Sequence, residues 1–126
     1  MFELSRDNVD NFKSRFNCFD GLVQRFEITF SQDNGRLGEL EILVRDMNES
    51  WVKLLLRVHG LTEAHFIEGK STVAVMTDGL DIVWVDDVLF VVFSPYTDDP
   101  EGVEDLRRAD GFFAGDRCEW EIVQNT

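Results

Sequence analysis

The stretch TVAVMTDGLDIVWVDDVLFVVF, residues 72–93, decides the fold class. Asp78-Gly79 stands between two runs rich in β-branched and aromatic residues, Thr72–Thr77 and Leu80–Val85. That is the placement of a two-residue turn with positive φ in a β-hairpin. In the implied register Val75 faces Ile82 and Val73 faces Trp84. Asp86-Asp87 supplies a second tight turn into Val88–Phe93; Asp is tolerated there, although Asp-Gly is better turn chemistry. Strands at 72–77, 80–85 and 88–93 then follow one another in an antiparallel meander, because a two-residue link cannot make a parallel crossover. The segments around Ile82–Val85 and Val88–Phe93 are apolar on both faces, so each face needs a cover. The N-terminal helix is one expected cover; an opposing sandwich layer, a barrel interior or a second subunit is the other. Pro95 ends the sheet segment, since it cannot donate to a ladder.

Upstream, Ser5 reads as a helix N-cap, followed by Val9, Phe12 and Phe16 on one apolar stripe. Asp7 and Asp10 lie near the positive end of that helix dipole. The helix is expected to end near Asn17, with Asp20-Gly21 turning the chain into strand. From Leu22 to Phe30 the period becomes two, with Phe26, Ile28 and Phe30 on one face and Arg25, Glu27 and Thr29 on the other. Residues 31–36, with Asn34-Gly35 inside, read as a hairpin connection. The next strand, about Gly38–Arg45, buries Leu40, Ile42 and Val44 and exposes Glu39, Glu41 and Arg45. A loop at Met47–Ser50 leads to Trp51–His59, with Val52, Leu54, Leu56 and Val58 inside and Lys53, Arg57 and His59 outside. Gly60 interrupts this strand, and Leu61–Ile67 continues as a bent or separate extended piece.

Downstream of Pro95, residues 96–110 form an acidic connection with a helical turn expected around Val103–Arg108. A last strand, Cys118–Val123, places Trp120 and Ile122 on one face. Trp51, Trp84 and Trp120 are read as packing residues. No internal repeat, low-complexity stretch or linker divides residues 1–126, which read as one domain. The fold class expected is mainly β (α+β): an antiparallel meander forming a sandwich or partly open barrel, with one N-terminal helix and a short helical turn near 103–108.

The chain has 126 residues, with Lys plus Arg 12 against Asp plus Glu 25, a formal net charge of −13. Size scaling for 14.6 kDa gives roughly 6,900 Å² of folded surface against roughly 21,000 Å² unfolded, enough burial for a core without staples. A pI near 4.3 argues against nucleic acid, whose phosphates are neutralised by Lys and Arg. The start, MFELSRDNVDNF, has neither the basic nor the apolar region of a secretory signal. The longest apolar run, Val88–Phe93, is six residues against the about 20 of a membrane span. Cys18 and Cys118, without a CxxC partner, read as free thiols of a reducing compartment. These features set the expectation of a cytoplasmic protein that binds no membrane.

No GxSxG, HExxH, P-loop or GxGxxG motif is present. Glu63, His65 and His59 share a face only if their segment runs straight, and Gly60 breaks it, so no metal is expected there. Asp78, Asp81, Asp86 and Asp87 are explained by turn chemistry, and neither they nor Asp33-Asn34-Gly35 match an EF-hand loop. No catalytic residue and no cofactor is assigned. The candidate partner-binding segment is Asp98, Asp99, Glu101, Glu104 and Asp105, with Tyr96 beside it. Five acids in eight residues suit a basic partner, and the alternative is a solvated loop that promotes solubility.

Phe19-Asp20-Gly21 after a short helix, Thr77-Asp78-Gly79 within a strand meander, and Cys118-Glu119-Trp120-Glu121-Ile122 occur together. Across most of its length the chain resembles immunity proteins that accompany bacterial polymorphic or contact-dependent toxins, and related uncharacterised small acidic families. The resemblance implies a compact, acidic, cytoplasmic protein that neutralises a cognate toxin by binding it, and it carries over no binding residue. The function expected is therefore a non-enzymatic inhibitor of a basic toxin. The alternatives are a homodimeric structural or assembly protein, and a small enzyme or ligand-binding domain with a pocket in a curved sheet.

Overall fold

The computed structural model describes residues 1–31, 35–66, 74–94 and 101–125. Two antiparallel sheets pack face to face and do not close into a barrel. The larger sheet is built from β1 (Phe2–Leu4), β2 (Phe16–Ser31), β3 (Gly35–Asp46), β4 (Trp51–His59), β6 (Ala74–Met76) and β10 (Arg117–Asn125). Its strand order is β1-β10-β4-β3-β2-β6. The smaller sheet runs β5-β9-β8-β7, from β5 (Glu63–Phe66), β7 (Asp81–Val85), β8 (Val88–Ser94) and β9 (Gly111–Gly115). Helix α1 (Val9–Arg15) precedes β2, and α2 (Val103–Arg107) precedes β9.

The alternating strands behave as their pattern dictates. Leu40, Ile42 and Val44 of β3 and Val52, Leu54, Leu56 and Val58 of β4 are buried, and their in-between neighbours lie on the other face, where Leu55 alone of those in β4 is also buried. From the smaller sheet Leu89, Val91, Phe93 and Phe113 enter the same core. There Phe26 stacks on Phe113 at 4.6 Å and 5°, and Phe66 meets Phe93 edge-on at 5.3 Å. Such close approach needs bare backbone: a Cβ at Gly38 would lie 2.6 Å from the Phe113 ring, and one at Gly111 2.3 Å from that of Phe93.

The meander at residues 72–93 is corrected in part. β7 and β8 do form a two-residue hairpin, with Val85 opposite Val88 and Asp86 at φ +55. β6 does not pair with β7. It pairs with β2, Val75 opposite Leu22, so the expected Val75–Ile82 register is absent. The expected Val73–Trp84 contact lies outside the described residues. Asp78-Gly79 is a real turn, with Gly79 at φ +79 and its N–H donating to the Met76 carbonyl at 3.1 Å. It carries the chain from one sheet to the other, because a tight turn fixes a reversal and not the partner of the strand that follows. The connection at 31–36 is likewise a hairpin, Ser31 opposite Gly35, with 32–34 outside the described residues.

Of the two covers, the opposing sandwich layer is the expected one, whereas the covering helix is not the N-terminal one. The outer face of β8 and β9, with Phe90, Val92, Phe112 and Ala114, lies under α2 through Leu106 and Ala109, with Val103 packed alongside. Arg107 of α2 holds Glu63 of β5 at 2.9 Å. Helix α1 instead serves the larger sheet, its Phe12 and the following Phe16 each 5.3 Å from the Trp120 ring. The second apolar face is thus covered within the chain, which removes the ground for expecting a second subunit there.

Smaller corrections follow from local geometry. Asn8, not Ser5, occupies the cap of α1, whose first residue is Val9; the Ser5 carbonyl accepts from the N–H groups of Asn8 and Val9 in a preceding turn. The helix stops at Arg15 because Phe16 is already extended. Asp20, at φ +59, and Gly21 lie in an irregularity inside β2 rather than at its start. Phe30 shares the face of Phe26 and Ile28 yet is 76 % exposed, with the Arg36 guanidinium 5.5 Å over its ring. Trp51 is on the surface beside Arg45, Trp84 is half-buried against the core, and Trp120 is buried.

Replacing Val91 by Asp would place an unpaired charge between the sheets, and the variant is expected not to fold cooperatively. Leu106→Ala only thins the α2 cover, and should leave a folded protein less stable by about 2–4 kcal/mol. Chemical denaturation with a near-ultraviolet signal checks both; a cooperatively folded Val91→Asp protein would contradict the burial of β8.

Candidate binding surface

The outer face of the larger sheet is a cross-strand charge lattice. In register across β1, β10, β4, β3 and β2 stand Glu3, Glu119, Arg57, Glu39 and Glu27. Arg57 binds Glu39 through Nε at 3.3 Å and Nη2 at 3.1 Å. Arg25 reaches Glu41 at 3.1 Å and also pairs with Glu27. The Glu41 hydrogen bond is the main reason the Arg25 pKa is raised. Arg117 lies 2.6 Å and His59 2.7 Å from Glu119. Burial opposes ionisation of Glu119, but the Arg117 hydrogen bond and the charges of His59 and Arg117 outweigh it and hold the carboxyl below its ordinary range. With Glu121, Arg45 and Lys53, this face holds six glutamates against five Arg or Lys. It is nearly neutral, so almost all of the net −13 belongs to the rest of the chain.

One part of that remainder is concave. A groove of about 360 Å³ runs between the last turn of α1, the start of β2 and the 78–81 connection into β7. Phe12, Phe16, Cys18 and Leu80 give it an apolar floor, and Lys13, Ser14, Asn17, Asp78 and Asp81 its polar walls. Phe19, 60 % exposed, stands on its rim beside the Gly79 turn, where a Cβ would come 3.6 Å from the ring. Asn17 fixes this rim by accepting the Phe19 N–H at 3.1 Å. Arg6 donates to the Asp86 carbonyl, tying the turn before α1 to the β7–β8 hairpin.

The acidic segment expected to bind a partner is described in part. Tyr96, Asp98 and Asp99 lie outside the described residues. Glu101 and Glu104 are exposed at the start of α2, while Asp105 is half-buried and accepts the Glu101 N–H at 3.0 Å. Asp105 therefore has a local structural task. The weighed metal set is dispersed: Glu63 pairs with Arg107, His65 lies over Phe112 at 6.3 Å, and His59 faces Glu119. Among the described residues no three His, Cys, Asp or Glu side chains are grouped for a metal ion, and no helix is long and apolar enough to cross a membrane. Sequence reading missed the groove, because its walls come from three separate segments.

Both cysteines are free and buried. Burial pushes each thiol up to about 12, with Lys13 lowering Cys18 slightly. At pH 8 the thiolate fraction is then about one in ten thousand, so native protein should resist a thiol-specific disulfide reagent. Both thiols should react once denaturant opens the core; rapid native labelling of Cys18 would show that the groove floor opens.

Glu119 gives a signed pH dependence. Its depressed carboxyl adds stability above the ordinary glutamate value of about 4.3 and loses it as pH falls through the folded value. Glu119→Gln should be less stable than wild type at pH 7, with the gap closing toward pH 3 in denaturant titrations. A gap independent of pH would contradict the assignment. The chain matches no protein-family model, no curated protein and no solved structure.

Proposed function

We propose that this protein is a non-enzymatic inhibitor of the immunity type, acting in the cytoplasm by covering a basic protein, such as a toxin domain. The observation that carries the reading is the distribution of charge. The lattice on the larger sheet takes up five of the 12 Arg and Lys residues, leaving the rest of the surface strongly anionic. A one-signed field of this kind raises the encounter rate with a cationic partner, and it opposes the approach of nucleic acid. The exposed Glu101 and Glu104 lie within that anionic remainder, and Asp98 and Asp99 precede them in the sequence. Phe19, exposed beside carboxylates, adds an apolar contact of the kind that anchors interfaces.

The test begins with capture of the partner from the native cell at low salt, followed by titration of the partner's own activity. The reading expects a basic protein that loses its activity at one equivalent. Replacing Asp98, Asp99 and Glu101 by Ser should slow association by roughly three- to tenfold at low salt and flatten its salt dependence, with less change in dissociation. A neutral or acidic partner would overturn the reading. Association rates unchanged at low and moderate salt would remove the 98–101 segment from the encounter surface.

A further inference from the structure

We infer that the outer face of the larger sheet is where two copies of this chain meet, the glutamate-rich half of each face lying on Arg45 and Lys53 of the other. This goes beyond the basic-partner reading and stands or falls apart from it.

The face is nearly neutral as a whole but uneven along its strands. Toward the Gly60 end stand its six glutamates with Arg25, Arg57 and Arg117, so carboxylates are in excess there. Toward the turn at 47–50 stand Arg45 and Lys53, with no carboxylate in register: Arg45 is opposite Trp51 and Asn17, and Lys53 is opposite Leu43 and Gln124. Among the described residues neither of these cations makes an ion pair, and nor does Glu121 of the other half. Leu43, Leu22 and Val75 continue the Lys53 row as an apolar strip, with Leu55 in the next row. Val75 is 47 % exposed. Glu49 lies in the turn itself, beyond the strand ends.

This polarity selects the occupant. A wholly basic protein is repelled by Arg45 and Lys53, and a wholly acidic one by the glutamate half. A second copy turned end for end satisfies both halves at once. A two-fold axis in the plane of the sheet, perpendicular to the strands, does this: strands lie on strands in reversed direction, and each glutamate half covers the other copy's two cations. The apolar strip then lies near the centre of the contact. An axis along the strands would set like charge on like. Elsewhere the copies repel, since the rest of the surface carries almost all of the net −13. Six strands about 4.8 Å apart, with β4 nine residues long at about 3.3 Å each, give a face of roughly 700 Å². Interfaces of standard size take about 800 Å² from each partner.

Sedimentation equilibrium of the full chain, from about 2 to about 200 μM at about 0.15 M salt, tests this; that salt screens the long-range repulsion and leaves contacting pairs. A reversible dimer of about 29 kDa is expected, twice the 14.6 kDa chain. Arg45→Glu with Lys53→Glu should weaken it at least tenfold, and so should Glu27→Lys with Glu121→Lys. Mixing these two variants should restore a dimer, because each reversed half then meets its complement. Arg6→Glu with Lys13→Glu makes the same charge change in and before α1, away from this face, and should weaken the dimer less than threefold. A wild-type chain still monomeric at about 200 μM would overturn the inference, whether solvent or another protein then meets the face. Equal losses in the Arg6 and Lys13 pair, or no dimer from the mixed variants once both are shown to be folded, would overturn it too. Each reversed pair tests the contact alone, so one misfolded variant leaves the other decisive. A dimer in a protein whose partner proves acidic would keep this inference and sink the basic-partner reading.

Discussion

The contact of Phe113 with the bare backbone at Gly38 is the constraint on which the sandwich depends. A methyl group on Gly38 would lie 2.6 Å from the Phe113 ring, so the two sheets meet at this separation only if β3 carries no side chain there. Phe26, two positions along the neighbouring strand from the residue opposite Gly38, stacks on the same ring and extends the contact toward Phe66 and Phe93. Close-packed interiors transmit such a fit, because side chains in them have few empty volumes to move into. The position of β9 fixes β8, and β8 fixes the hairpin with β7. The groove wall is the connection leading into β7, so its shape is set from the centre of the core.

The two outer faces meet solvent by different means. On the larger sheet, arginines stand among glutamates across the strands, and Glu27, Glu39, Glu41 and Glu119 each find an arginine within reach. Exposed pairs of this kind each add little stability, typically below about 1 kcal/mol. Their effect here is on the field: with Arg45 and Lys53 beside them, they hold five of the chain's 12 Arg and Lys residues on one nearly neutral face. On the smaller sheet, Phe90, Val92 and Phe112 need an apolar cover, and α2 supplies it with five helical residues and the Arg107–Glu63 pair. That helix also carries Glu104 and Asp105 at its start, where the dipole favours them. Cover and charge come from one short segment.

The legible part of the fold is the part with one wet face. β3 and β4 largely alternate inward apolar and outward polar residues, and the alternation assigns their strands and faces, although Leu55, on the outward face, is also buried. β9 escaped because Gly-Phe-Phe-Ala-Gly has no alternation: all five residues are buried, with apolar cover on both sides. Its signal was the pair of glycines, at positions where Phe93 and the Val58 side chain leave no room for a Cβ. β1 is three residues long and identifiable only through its partner β10. The Asp78-Gly79 turn was legible as a turn, whereas the choice of β2 over β7 as the neighbour of β6 depends on the whole sandwich. The acidic character was readable from composition. Its segregation was not, because it requires the registers of five strands.

Trp120 joins the segments most distant in the sequence. It stands opposite Phe2 in the β1–β10 ladder, and the rings of Phe2, Phe12 and Phe16 all lie within 5.3 Å of it. The β2–β3–β4 meander can form from neighbouring segments as soon as they leave the ribosome, since its loop closures are short. Helix α1 has no such freedom: the aromatic ring that seats it belongs to β10, at the far end of the described residues. The groove, one wall of which is α1, is therefore completed only once β10 has paired with β1, a long-range closure that comes late in folding.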